Sequence, residues 1–118
     1  MKIEKVYGNE IPQKFEHLRG GVFINALPEK VESEGSELYS YHQTFTMETN
    51  EELLEKKYIR LMCEVYKEYL SNTDHKFFNG YKPKEDEDLV EIGRLRDEAR
   101  DFIRANEVSK LDIRTGVV

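Results

Sequence analysis

The apolar residues change period at residue 49, and that change limits the chain to a strand-rich first part and a helical second part. Before it, side chains alternate at period two. "KIEKVYG" places Ile3 and the pair Val6/Tyr7 in a short strand that stops at Gly8. "GGVFINALP" is an apolar run between a Gly pair and a Pro, as a buried strand should be. "EKVESEGSELYSYHQTFTM" reads as a hairpin turning near Glu34-Gly35-Ser36. In its second arm Tyr39, Tyr41, Phe45 and Met47 share one face, and Ser40, His42, Thr44 and Thr46 share the other. The expectation is a sheet covered on its greasy face and open to water on its polar one.

From residue 49 the spacing becomes three and four. Thr49-Asn50-Glu51-Glu52 has the form of a capping box ahead of an apolar run. Leu54, Tyr58, Leu61, Met62, Val65, Tyr66 and Tyr69 then recur on one arc, widened by Ile59 and Leu70. An arc wider than the ~100° of a helix with one neighbour predicts a central helix over about 49–72. A second helix, about 88–106, carries a narrower stripe of Leu89, Ile92, Leu95, Ala99, Phe102 and Ile103. The predicted fold is therefore α+β: one domain in which a small antiparallel sheet (1–48) packs against an antiparallel two-helix hairpin (49–107). The tail, 108–118, reads as a late strand or a frayed end, with the frayed end preferred.

Composition narrows the function classes. The 118 residues carry a net charge of −6, with acid and base spread along the chain. No basic stripe forms, which argues against nucleic acid as a partner. No apolar run is long enough for a membrane span, and the N-terminus lacks the apolar core of a signal peptide. One cysteine, Cys63, excludes an intramolecular disulfide and falls at the edge of the first helix's apolar arc, as a buried thiol would. His17, His42 and His75 are isolated, so neither a metal nor another cofactor is implied. The acidic run Lys84–Asp88 lacks the central Gly and alternating ligands of a calcium loop and suits the start of a helix instead.

The segment joining the helices, "SNTDHKFFNGYKPKEDEDL" at 71–89, is the densest in chemistry. Phe77, Phe78 and Tyr81 are expected to close the open end of the hairpin; a partner surface that includes Tyr41 is the alternative. One residue breaks the helical pattern. Arg96 projects between Leu89, Ile92, Ala99 and Ile103, with Arg100 one turn further on and Gly93 beside it. A guanidinium at the centre of an apolar stripe must reach water or a carboxylate. Asp74 in the turn is the expected partner, with Glu64 and Glu68 competing. Thr73 and Asp74 would end the first helix and, with Arg96 and Arg100, latch the two helices together.

The order "GSELYSYHQTF", a long charged helix, "YLSNTDHKFFNGY" and "RLRDEARDFIR" resembles small proteins encoded in the tail regions of phages and prophages, including the XkdW-like group of PBSX-type prophage. Such proteins carry a Leu-x-x-Thr-Asp-Tyr-Lys turn and an Arg-x-x-x-Arg-x-x-Ile helix. The matching residues here are Leu70, Thr73, Asp74, Lys76, Arg96, Arg100 and Ile103. His75 replaces the tyrosine and Arg104 the closing asparagine, and the likeness spans 36–106. The resemblance implies a non-enzymatic structural or assembly accessory of a phage tail, in the host cytoplasm or on the virion. Its partners would be other phage assembly proteins or copies of itself, and it carries over no catalytic residues. Two other classes stand beside it: a bacterial regulatory or adaptor module, and an enzyme of unrecognised type for which no nucleophile, base and orienting group assemble.

Overall fold

In a computed structural model, residues 1–117 are described; for residue 33 and residues 107–117 the backbone alone is. The chain is α+β, with a four-stranded antiparallel sheet followed by two helices. The strands are β1 (Glu4–Gly8), β2 (Phe15–Leu18), β3 (Gly21–Ser33) and β4 (Ser36–Thr46). The helices are α1 (Glu51–Thr73) and α2 (Leu89–Val117), and a single 3₁₀ turn, Asp74–Phe77, follows α1. Contacts group into two compact units, Met1–Met62 and Cys63–Val118, with the boundary inside α1.

In the first unit the sheet order is β1-β4-β3-β2. β3 and β4 form a long hairpin whose two-residue turn, Glu34-Gly35, has positive φ at both positions (47° and 78°). That is the turn whose twist matches paired strands, and glycine adopts it without penalty. β3 runs on through Pro28, where the sequence pattern separates two strands. Between Ala26/His42 and Glu29/Ser40 the register shifts by one residue, a β-bulge with Leu27 at φ 54°. Proline has no N–H for the ladder, so a bulge is where a strand tolerates it. The sequence pattern marks no strand at β2. Its four residues, FEHL, offer only Phe15 and Leu18 as apolar signals, and these do not alternate.

The two faces of β4 are inverted relative to expectation. Ser40 and Thr44 are buried, Thr44 to 6% exposure, whereas Phe45 is 48% exposed and Met47 stands in water. Pairing explains the inversion. Thr44 lies opposite Ile24 and Thr46 opposite Val22, so the hydroxyl side chains share a face with Val22, Ile24 and Ala26, the least accessible residues of the sheet. Phe15 and His17 of β2 join that face, and Phe15 meets Tyr58 of α1 edge-on with centroids 6.2 Å apart. Lys14 beside it bonds Glu55 at 2.7 Å. The hydroxyl of Thr44 donates to the Lys2 carbonyl at 2.8 Å, so its burial leaves no polar atom stranded. The other face keeps its rings to itself: Phe23 and Phe45 pair across the ladder at 5.2 Å. Asn25, also on that face, donates to the Gln13 carbonyl and accepts from Gln43, tying residues 9–14 to the sheet.

α1 is capped by Asn50, one residue later than the Thr49 capping box predicts. Asn50 Oδ1 accepts from the Leu53 N–H at 3.1 Å, and the Glu48 carboxylate accepts from the N–H groups of Thr49 and Asn50. With Asn50 as the cap and Glu48 holding the two N–H groups ahead of it, the helix starts at Glu51.

In the second unit the end of α1 runs antiparallel to α2. Leu70 and Thr73 meet Arg96, and further along Tyr66 meets Phe102 at 5.2 Å. Asp88 caps α2, accepting from the N–H groups of Val90 and Glu91, both at 3.1 Å. The backbone stays helical to Val117, so residues 108–117 form no late strand. The side chains of that tail, and residue 118, lie outside the described residues.

Candidate functional site

The chemistry of the second unit gathers where α1 ends. Arg96 is 5% exposed, on the stripe of α2 that the sequence marks as apolar. One guanidinium nitrogen donates to the Leu70 carbonyl at 2.8 Å and to the Thr73 hydroxyl at 2.5 Å. The other donates to Asp74 Oδ1 at 2.5 Å. The reach back to Asp74 follows from the lean of helical side chains toward the N-terminus of their own helix. Thr73 passes the bond on, its hydroxyl donating to the Tyr69 carbonyl at 2.7 Å. The helix end is thus stitched by Thr73 through its own side-chain bond to the backbone and by Arg96 together, and the 3₁₀ turn has no side-chain cap of its own. Arg100 stands apart, exposed and 3.4 Å from Asp97. Nearby, burial pushes the Tyr69 phenol up, with the charge of Arg96 opposing it.

The three aromatics of the turn have different tasks. Phe77 lies over the Arg96 guanidinium, with its centroid 5.2 Å from Cζ, and also faces Gly93. Tyr81 is half-buried; its hydroxyl donates to the Glu87 carboxylate at 2.7 Å, and its ring meets His75 edge-on. Lys76 reaches the same carboxylate at 3.4 Å. Phe78, between them, is 67% exposed. Of the residues read as a hairpin plug, Phe77 and Tyr81 fasten the turn and Phe78 projects from it. Tyr41, in the other unit, is half-buried, and its ring lies alongside Gly8.

Two consequences are measurable. A methyl group added at Gly93 meets the Phe77 ring at 3.8 Å, which is ordinary contact. Gly93→Ala therefore raises stability by up to about 1 kcal/mol through helix propensity, read as a higher denaturation midpoint. The Tyr81–Glu87 clasp also titrates. The phenol's bond, followed by the pull of Lys76, holds the Glu87 carboxyl below its ordinary 4.5. The same bond, with some desolvation, pushes the Tyr81 hydroxyl above its ordinary 10.0. A lowered acid stabilises above its unfolded value, so that support disappears as pH falls below 4.5 through the folded value. A raised phenol stabilises fully below 10.0, and its support disappears as pH climbs through the folded value. Subtracting the pH–stability curve of Glu87→Gln from that of wild type should isolate the acid limb.

Among the described residues no three His, Cys, Asp or Glu side chains gather as a metal site would, and no helix is long and apolar enough to cross a membrane. Compared with known proteins, the chain matches no family model, no curated protein and no solved structure.

Proposed function

We propose that this protein is a non-enzymatic, tail-associated assembly accessory of a phage or prophage, acting through protein contacts made by the turn between its helices. The phage setting is supported by the resemblance over 36–106. The contact role is carried by one observation: Phe78 stands 67% exposed on a segment fastened on both sides, by Arg96 to Asp74 and by Tyr81 to Glu87. Large apolar side chains scattered singly on a surface need no explanation, but one held on a stiffened turn loses little entropy when a partner covers it. Aromatic anchors of this kind carry a large share of interface energy.

The test is affinity capture from cells expressing the whole surrounding gene cluster, with wild type and Phe78→Ser side by side. The expected result is a stoichiometric cluster-encoded protein retained by wild type and lost from Phe78→Ser, with the thermal midpoints of the two baits equal. Equal retention by both baits, or no cluster-encoded protein on either, would overturn the reading.

A further inference from the structure

Of the six asparagines in the chain, Asn79 is the one that precedes a glycine. Asn79 and Gly80 are both exposed and form the corner of the turn between Phe78 and Tyr81. The Tyr81 N–H closes that turn on the Phe78 carbonyl at 3.2 Å. Gly80 has φ 88°, a conformation that glycine adopts without penalty. A Cβ built on Gly80 meets nothing within 4 Å, so the space beside its amide is open. Among the described residues no hydrogen bond engages the Asn79 side chain or the Gly80 N–H. The other asparagines are held or hindered. Asn25 bonds the Gln13 carbonyl and Gln43, Asn50 caps α1, and Asn106 donates to the Phe102 carbonyl. Asn72 lies within α1 ahead of the β-branched Thr73, and Asn9 is followed by Glu10.

We infer that Asn79-Gly80 is a site of spontaneous covalent modification, converting to isoaspartate and aspartate as the chain ages. The Gly80 nitrogen attacks the Asn79 Cγ and the Cγ–Nδ2 bond breaks. The proton lost from Gly80, relayed by water, leaves with the side-chain nitrogen as ammonia, and a five-membered succinimide closes. Water then opens the ring. Addition at the main-chain carbonyl gives isoaspartate, with the backbone rerouted through Cβ and Cγ; addition at Cγ gives aspartate. Nothing is oxidised or reduced, and water is the one co-reactant. Both products put a carboxylate where a neutral amide stood. Isoaspartate also adds one atom to the ring that the Tyr81–Phe78 backbone bond closes. Tyr81 follows directly, so the lengthened backbone draws its ring from His75 and its hydroxyl from Glu87. The fastening on one side of Phe78 is thereby lost with time. The chemistry holds whatever docks on Phe78; a loss of docking with age rests on the contact role proposed for that residue.

The test holds the full chain for days in neutral buffer at physiological temperature, beside Asn79→Gln. Peptide mapping reads the mass, and an isoaspartate methyltransferase with radioactive S-adenosylmethionine reads the isomer. The wild-type peptide carrying Asn79 should gain ~1 Da and become a methyl acceptor. Asn79→Gln should do neither at that peptide, because its longer side chain closes a six-membered ring far more slowly. When fresh it should share the wild-type thermal midpoint, since the Asn79 side chain is exposed. Conversion should be about tenfold or more faster at Asn79 than at Asn9 or Asn72, because Gly80 alone offers a nitrogen with no side chain beside it. In the isoaspartate form the Tyr81 amide should exchange its hydrogen faster than in fresh protein. An unchanged mass at Asn79, a rate equal to that at Asn9 or Asn72, or unchanged protection of the Tyr81 amide would overturn the inference.

Discussion

Arg96→Ala lowers the unfolding free energy of the helical unit by about 3 kcal/mol, because it empties a buried site and strands the groups that Arg96 held. Those groups are the Leu70 carbonyl, the Thr73 hydroxyl and the underside of the Phe77 ring. Asp74→Ala costs less, about 1 kcal/mol, since the Asp74 side chain is 53% exposed and Arg96 keeps its other two acceptors. The asymmetry is the informative part. If the latch were a simple ion pair, the two substitutions would cost alike and the double variant would add nothing. Here the coupling energy from the double-mutant cycle should be about 1 kcal/mol, well below the loss on removing Arg96. Arg96→Lys should recover only part of that loss, because an ammonium cannot hold three acceptors in the planar fork a guanidinium offers. Arg96→Met separates volume from charge: it fills the site and leaves Asp74 to water, so it should be milder than Ala. Urea denaturation of the four single variants and the double variant measures these differences.

The second large effect lies in the sheet. Ile24→Ala should cost about 3 kcal/mol, as removal of a fully buried aliphatic side chain does. Ile24 is 0% exposed and sits between Phe15 and Thr44 in the register. Met47→Ala should fall within about 0.5 kcal/mol of wild type, because its side chain is in water. Had the Tyr39-Tyr41-Phe45-Met47 face been the covered one, Met47 would behave as a core residue and Thr44 as a surface one. Thermal unfolding followed by circular dichroism distinguishes the cases, since each 1 kcal/mol moves the midpoint of a small domain by roughly 4–8 °C.

These sites mark where the sequence was legible. The change of period at residue 49 was enough for fold class, because alternation and helical spacing are properties of the chain itself. Arg96 was visible for the same reason: a charge on an apolar stripe is a local contradiction that only a specific partner resolves. Alternation in β4 revealed two faces but not which one would be covered. That was decided by β3, whose Val22, Ile24 and Ala26 fall opposite the hydroxyl residues once the ladder forms. β2 carries no strand signal of its own because a four-residue edge strand takes its stability from its neighbour rather than from its own pattern. The shift of the cap from Thr49 to Asn50 turned on Glu48, which bonds the two N–H groups ahead of the helix. In the turn, Tyr81 and Glu87 were each legible as residue types, but their pairing depends on the path of the loop between them.

In the proposed contact role Phe78 is the point at which another protein docks, and site-specific photocrosslinking asks this directly. A benzophenone amino acid would be placed at position 78, and in a parallel variant at position 47, where Met47 is the more exposed apolar side chain. Each variant would be irradiated in cells carrying the surrounding gene cluster. A discrete adduct with a cluster-encoded protein is expected from position 78 and none from position 47. An adduct from position 47 alone, or from neither position, would contradict that role.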